Sequence, residues 1–326
     1  MPLRLIRNTA ILLKLEGSAT YGIDSVPTGA ANAMLVSNLS INPLNSQNVD
    51  RDLIRPFLGG SEQLLGTRYV EMGFDIEMAG SGTVATAPAW APALIACGFA
   101  QTLTATVRAD YTPISTAFDS ATIYWHDDGV FHKAVGCRGT VSIMLKVGER
   151  PVLSFKFTGL YSTPTAVANP AVTLTAYKTP QVVSDVNTQD VTFGATHATG
   201  TAPLLAGGTI YPSQGLELDI GNTVNFNALL GGETVDLTQR SVSGKVTLDL
   251  TAAQEVALIA SAEAGTLQSV GISHGTVANN KALLWLPSVQ LINPAKAEAN
   301  GKRVVSFDLR VLPLLGNDEV RLATSF

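Results

Sequence analysis

The chain has 326 residues, enough for two domains that each bury a core. Only 14% of its residues are charged while 46% are hydrophobic, so part of its surface is expected to be covered by partners. A net charge of −5 without any cluster of Lys and Arg argues against a protein that grips a nucleic-acid backbone, and no apolar run reaches the roughly 18 residues of a membrane span.

Aromatic residues make up 6% of the chain, while Gly, Ala, Thr, Val and Leu dominate, a composition that suits short strands and tight turns. The fold class expected is mainly β: two tandem β-sandwich domains, each with one flanking α-helix and long loops.

In chain order, residues 1–10 carry Arg4 and Arg7, and the apolar run at 11–13 is ended by Lys14 and Glu16. That run is too short for a secretion signal, so the protein is expected to stay in the cytoplasm where it is made. Residues 42–66 read as a long loop or hairpin excursion. Residues 70–78 alternate strictly: Val70, Met72, Phe74, Ile76 and Met78 form one side, and Glu71, Asp75 and Glu77 the other, as a half-buried strand requires. A helix is predicted over 92–99, entered through Pro88 and Pro92. The Asp127-Asp128-Gly129 sequence predicts a hairpin between strands at 122–125 and 130–133. His126 and His132 then become cross-strand neighbours on an exposed tip, with no further His or Cys nearby to complete a metal site. A second alternating strand is predicted over 151–158, and Cys97 and Cys137 read as small buried hydrophobes.

Residues 162–172 contain the breakers Thr163-Pro164 and Asn169-Pro170, which place a boundary near residue 167 and divide the chain into domains 1–166 and 167–326. Residues 182–208 read as a long loop or hairpin excursion. Beyond it the first half is repeated. Leu229-Leu230-Gly231-Gly232 mirrors Phe57-Leu58-Gly59-Gly60, and the pairs Gly59/Gly231, Arg68/Arg240, Phe74/Val246 and Met78/Leu250 all keep one spacing of 172 positions. A strand over 242–250 is followed by a helix over 252–264, with Thr251 as N-cap and Gly265 as its stop. Leu153, Phe155 and Phe157 of the first half match Val305, Phe307 and Leu309 of the last strand.

Gly271-Ile272-Ser273-His274-Gly275 fits the pattern of a hydrolase nucleophile elbow, but another strand follows where that chemistry needs a helix, and no later histidine completes a triad. It reads as a glycine-bounded turn. No phosphate-cradling glycine loop and no zinc-spaced Cys and His occur. No catalytic residue, cofactor or metal is expected, and the protein reads as a non-enzyme.

Several strings occur in a telling order: Leu12-Leu13-Lys14-Leu15-Glu16, Thr20-Tyr21-Gly22-Ile23-Asp24, Val26-Pro27-Thr28-Gly29-Ala30, Arg51-Asp52-Leu53-Ile54-Arg55-Pro56-Phe57-Leu58-Gly59, Gly136-Cys137-Arg138-Gly139-Thr140-Val141 and Gly148-Glu149-Arg150-Pro151. In this sequence they resemble the two-domain major tail tube proteins of siphophages, the phages with long, flexible, non-contractile tails, and in particular those of Mu-like transposable phages. The resemblance implies a virion protein whose sandwiches join inner sheets around a ring, with rings stacked into a pipe for double-stranded DNA. Its implied partners are itself, as homotrimeric pseudo-hexameric rings, and the tape measure, tail terminator and distal tail proteins. A hexameric ring in which only one domain lines the bore is the alternative. Another tail or baseplate hub protein, a secretion-device inner tube and a carbohydrate-binding β-sandwich are the competing readings.

For such a tube, acidic strand faces are the candidate bore lining, because they repel phosphates at short range. The candidates are Glu71, Asp75, Glu77, Glu217, Asp219, Asp249 and Asp308. Residues 42–66 and 182–208 are the expected clasps between rings.

Overall fold

The period-two runs form strands that press their apolar side into a core. In a computed structural model describing residues 4–17, 19–198 and 204–326, the run at 70–78 lies mostly within the strand Leu64–Glu77. Val70, Met72, Phe74 and Ile76 are there at most 5% exposed, whereas Glu71 is open to solvent. The matching run of the second half forms Ser243–Leu248, and the later pair form Val152–Tyr161 and Lys302–Val311. The chain is mainly β, with two helices among the described residues.

Strands at repeat-related positions pair antiparallel in the same register. Phe74 lies opposite Phe155, and Val246 opposite Phe307. In the first half the Phe74, Phe155 and Phe157 rings pack with centroids 5.7 to 5.9 Å apart, which fills the space between the layers. Val246, Phe307 and Leu309 are buried at the corresponding places.

Each pair is flanked by two more strands. Ser37–Val49 borders Leu64–Glu77, and Val130–Lys146 borders Val152–Tyr161. In the second half Ser213–Asp219 borders Ser243–Leu248, and Ala282–Ala299 borders Lys302–Val311. The two sets of four meet where Val130–Lys146 pairs with Ser213–Asp219, Ile143 opposite Leu218 and Leu145 opposite Leu216. The result is one antiparallel sheet of eight strands that runs through both halves. Val130–Lys146 and Ala282–Ala299 are long enough to continue into a second layer. There they pair with Ala121–Asp127 in the first half, and with Leu267–His274 and Arg321–Thr324 in the second.

The helix Ala252–Glu263 forms for local reasons. The Thr251 hydroxyl accepts from the Gln254 amide, the Gln254 side chain accepts from the Thr251 amide, and Gly265 at φ 64° ends the run. The helix expected over 92–99 is shorter, Ala91–Ile95. It has no side-chain cap, and Gly98 at φ 81° turns the chain into the strand Phe99–Thr104. Packing holds it in place: Ala93 and Leu94 are fully buried, and the Trp90 indole donates to the Ala79 carbonyl at 2.8 Å.

Other local expectations are met in part and corrected in part. The segment 42–66 is a hairpin excursion: its ends belong to the paired strands Ser37–Val49 and Leu64–Glu77, and residues 50–63 between them are irregular. The excursion at 182–208 is present: Thr196–Ala198 pairs antiparallel with Leu204–Ala206 after the short strand Val191–Phe193, and residues 199–203 lie outside the described part. Residues 271–274 are not a turn but the end of Leu267–His274, because Val270 and Ile272 alternate into the core, and the chain turns only at Gly275. The hairpin at Asp128-Gly129 forms with both residues at positive φ, as its two-residue turn demands. Its histidines, however, are not cross-strand neighbours. His126 faces Phe131 and His132 faces Trp125, so they sit on opposite sides of the hairpin, each stacked on an aromatic ring, and His126 is buried.

Candidate functional site

The eight-stranded sheet has one apolar face on the core and one polar face. Register places Glu71, Asp75 and Glu77 of Leu64–Glu77, Glu217 and Asp219 of Ser213–Asp219, and Asp308 of Lys302–Val311 on that polar face. Asp249 follows one residue after the end of Ser243–Leu248, in phase with them. All seven acidic candidates are thus gathered on one surface from strands far apart in sequence.

Neighbouring strands hold several of them in place. Asn45 donates to Glu71 at 2.9 Å, Asn38 to Asp75 at 2.6 Å, Ser142 to Asp219 at 3.2 Å and Asn293 to Asp308 at 3.0 Å. Arg150 bonds Glu77 at 2.9 Å, and Lys302 pairs with Asp249 at 3.4 Å.

Sequence reading missed the cations of this face. Lys156 lies opposite Gly73, between the rows of Glu71 and Asp75. Lys245 lies opposite Glu217 on one side and Asp308 on the other, and Arg310 lies opposite Ser243. Lys146 and Lys302 share the same phase at the strand ends. Acidic and basic positions therefore alternate across the strands, leaving a polar surface only slightly negative. Each strand alone carries the alternation, but the cross-strand partners depend on register, which has no local signature.

A hairpin of Asn222–Leu229 and Gly232–Arg240 locks the two halves together beside this face. Arg138 is the anchor. It donates to the Val235 carbonyl at 2.9 Å and the Phe118 carbonyl at 3.0 Å, pairs with Asp236 at 3.4 Å, and lies over the Tyr21 ring at 4.7 Å. The Val235 amide donates to the Tyr21 hydroxyl at 2.6 Å, and Asn222 reaches the Cys97 carbonyl at 2.7 Å. Arg240 bonds Glu319 at 2.5 Å and the Ile114 carbonyl at 2.6 Å, both mostly shielded from water. Between this hairpin and the polar face runs a groove of about 470 Å³ lined by Asn42, Glu71, Thr140, Lys156, Thr158 and Val224.

Cys97 and Cys137 are buried free thiols, and burial pushes both well above the ordinary thiol range. Among the described residues no three His, Cys, Asp or Glu side chains come together as metal ligands, and no helix is long and apolar enough to cross a membrane.

The two strands that bound the eight-stranded sheet, Ser37–Val49 and the part of Ala282–Ala299 beyond residue 290, leave backbone groups open along one edge, and among the described residues 30 large apolar side chains are exposed, Ile54, Leu58, Leu230 and Leu315 almost fully. Such a surface is built for neighbours. No curated protein matches the chain. The family model described as phage tail tube protein matches residues 7–311, and over that span the chain belongs to the phage tail tube protein family.

Proposed function

We propose that this structural tail tube protein is the major tube subunit of a long, flexible siphophage tail, of the two-domain type found in Mu-like transposable phages. Residues 1–166 and 167–326 are its two tail-tube domains, and three copies close a pseudo-hexameric ring. The observation that carries this reading is the continuous run of eight paired strands through both halves, with open backbone at Ser37–Val49 at one end and beyond residue 290 of Ala282–Ala299 at the other. Three copies supply 24 strands; at about 4.8 Å per strand and a tilt near 40°, these close into a barrel about 48 Å across the backbone. Side chains reduce that to a bore that still passes a DNA duplex. Six copies contributing every strand would give roughly twice the diameter, far more than a DNA conduit needs.

In this ring the polar face lines the bore, and Glu71, Asp75, Glu77, Glu217, Asp219, Asp249 and Asp308 face the passing phosphates. The interleaved lysines and Arg310 keep the lining from becoming either a strong barrier or a basic track. Fields of alternating sign cancel within about a Debye length, roughly 8 Å at physiological salt, so DNA slides without being held. The tip at 50–63, with Ile54, Phe57 and Leu58 exposed, clasps the next ring, a head-to-tail contact that repeats without closing. Tape measure, tail terminator and distal tail proteins meet the ends of the pipe.

Negative-stain microscopy of the concentrated purified protein tests the reading. Rings or tubes with an open bore are the expected result. Monodisperse monomers at high concentration would sink it.

A further inference from the structure

The junction inside the chain is a template for the junction between chains. At the internal seam Ser213–Asp219 pairs with Val130–Lys146, Glu217 opposite Met144 and Asp219 opposite Ser142. The counterpart of Ser213–Asp219 in the first half is the open edge of Ser37–Val49. Leu216 lies beside Val246 and Leu218 beside Gly244, while Ile41 lies beside Met72, the position 172 before Gly244. This makes Ile41 the counterpart of Leu218 and Ser40 that of Glu217. Both edge strands also break register at the same place, 37–40 and 213–216, and each break contains a left-handed residue, Asn38 at φ 51° and Gly215 at φ 111°.

The counterpart of Val130–Lys146 is the end of Ala282–Ala299. Ile143 and Met144 pair with Leu153 and Val152, and Lys296 and Ala297 pair with the repeat-related Val305 and Val304. Among the described residues no strand pairs with the other edge of 295–299.

We infer that residues 38–42 of one copy pair antiparallel with residues 295–299 of the next, Ser40 opposite Ala297 and Ile41 opposite Lys296, and that this seam between copies is the polar, weaker counterpart of the seam within a copy. The inference rests on the tail-tube reading and names its contact. Burial supports it from the edge side: Leu216 and Leu218 are 1% and 2% exposed against Ile143 and Leu145, whereas Leu39 is 36% exposed and Ile41 is half-buried. The accepting side differs in chemistry. Where the internal seam offers Ile143 and Leu145 to the core, the copy-to-copy seam offers Lys296 and Glu298, with Lys296 held to Glu255 at 2.9 Å. A ring of three copies therefore alternates stiff apolar seams with soft polar ones, and yields at the soft ones when the tube bends.

The test is disulfide trapping in the assembled full-length protein. Ser40→Cys with Ala297→Cys brings two thiols to directly opposed positions, where Cβ atoms come within the roughly 4 Å a disulfide needs. Asn38→Cys or Asn42→Cys with Ala297→Cys shifts the pair by two residues, about 7 Å, beyond bridging distance. Native Cys97 and Cys137 are buried and do not compete. Covalently linked dimers and trimers from the first pair alone are the expected result. Wild-type tubes whose variants link only in a shifted pair, or in none, overturn the register while leaving the tube reading intact. A wild-type protein that never assembles condemns the tube reading itself. A second variant keeps the seam testable if the cysteine variants assemble poorly: Lys296→Ile with Glu298→Leu gives the copy-to-copy seam the apolar character of the internal one. It should lower the concentration needed for tubes by roughly tenfold or more, and an unchanged or higher threshold contradicts the placement.

Discussion

Gly215 is where the two halves grip each other, and replacing it by alanine should loosen that grip measurably. Its φ of 111° lies in a region that side-chain-bearing residues avoid, and a Cβ built there would sit 1.9 Å from the Leu145 carbonyl oxygen across the internal seam. The backbone strain costs about 1–3 kcal/mol. Relief of the clash has to push Ser213–Asp219 away from Val130–Lys146, which weakens the pairs Gly215/Lys146 and Leu216/Leu145. Each lost hydrogen bond adds about 0.5–1.5 kcal/mol, so the total is about 4 kcal/mol. In a protein of 326 residues that lowers Tm by roughly 6 °C, read by calorimetry. Gly148→Ala is the control: Gly148 has φ 83°, but a Cβ there meets nothing within 4 Å, so only the strain of about 1–2 kcal/mol remains. If the two variants melt together, the close approach at the seam contributes nothing measurable to stability.

The other expectations concern the hairpin, the histidines and the polar face. Arg138→Ala removes the anchor of the 222–240 hairpin and should cost about 2–3 kcal/mol, with faster hydrogen exchange confined to that hairpin; unchanged exchange there would contradict the anchoring role. Burial lowers the pKa of His126, His132, His197 and His274, partly offset at His274 by its contact with the Gln181 carbonyl. The unfolded chain takes up protons near pH 6.5 while the folded one does not, so stability should fall as pH drops below about 6.5 and stay flat above it. A thermal-melt series from pH 8 to 5 that shows no loss on the acid side refutes this. Changing Glu71, Asp75 and Glu77 together to lysine turns one row of the lining basic; it breaks the partly exposed Glu77–Arg150 pair, worth at most about 1 kcal/mol, and the exposed hydrogen bonds from Asn45 to Glu71 and from Asn38 to Asp75. Tubes should still form but release DNA more slowly, the defect shrinking as salt rises, and normal release kinetics would remove these residues from the bore.

How much of this was legible beforehand depended on how local each signal was. The strand at 70–78 and its partner at 151–158 were readable because one face is buried and the alternation is strict. The helix Ala252–Glu263 was readable because Thr251 and Gln254 cap it within one turn. At 42–66 a hairpin excursion was legible as one alternative but the reach of its strands was not, since Asn42, Asn45, Ser46 and Asn48 present polar groups on both faces and satisfy one another and Glu71. The repeat was visible as spacing, but the seam it builds was not, because Val130–Lys146 meets Ser213–Asp219 across some 70 residues with no motif to mark it. For the same reason the phase of the acidic residues was legible strand by strand, while Lys156, Lys245 and Arg310, which arrive from other strands, were not.

A cryo-electron microscopy reconstruction of assembled tubes, refined without imposed symmetry, tests the central claim most directly. The account predicts threefold rings in which both halves of every copy contribute four strands to one 24-stranded barrel, about 48 Å across the backbone. Sixfold rings in which only one half of each chain reaches the bore would contradict it.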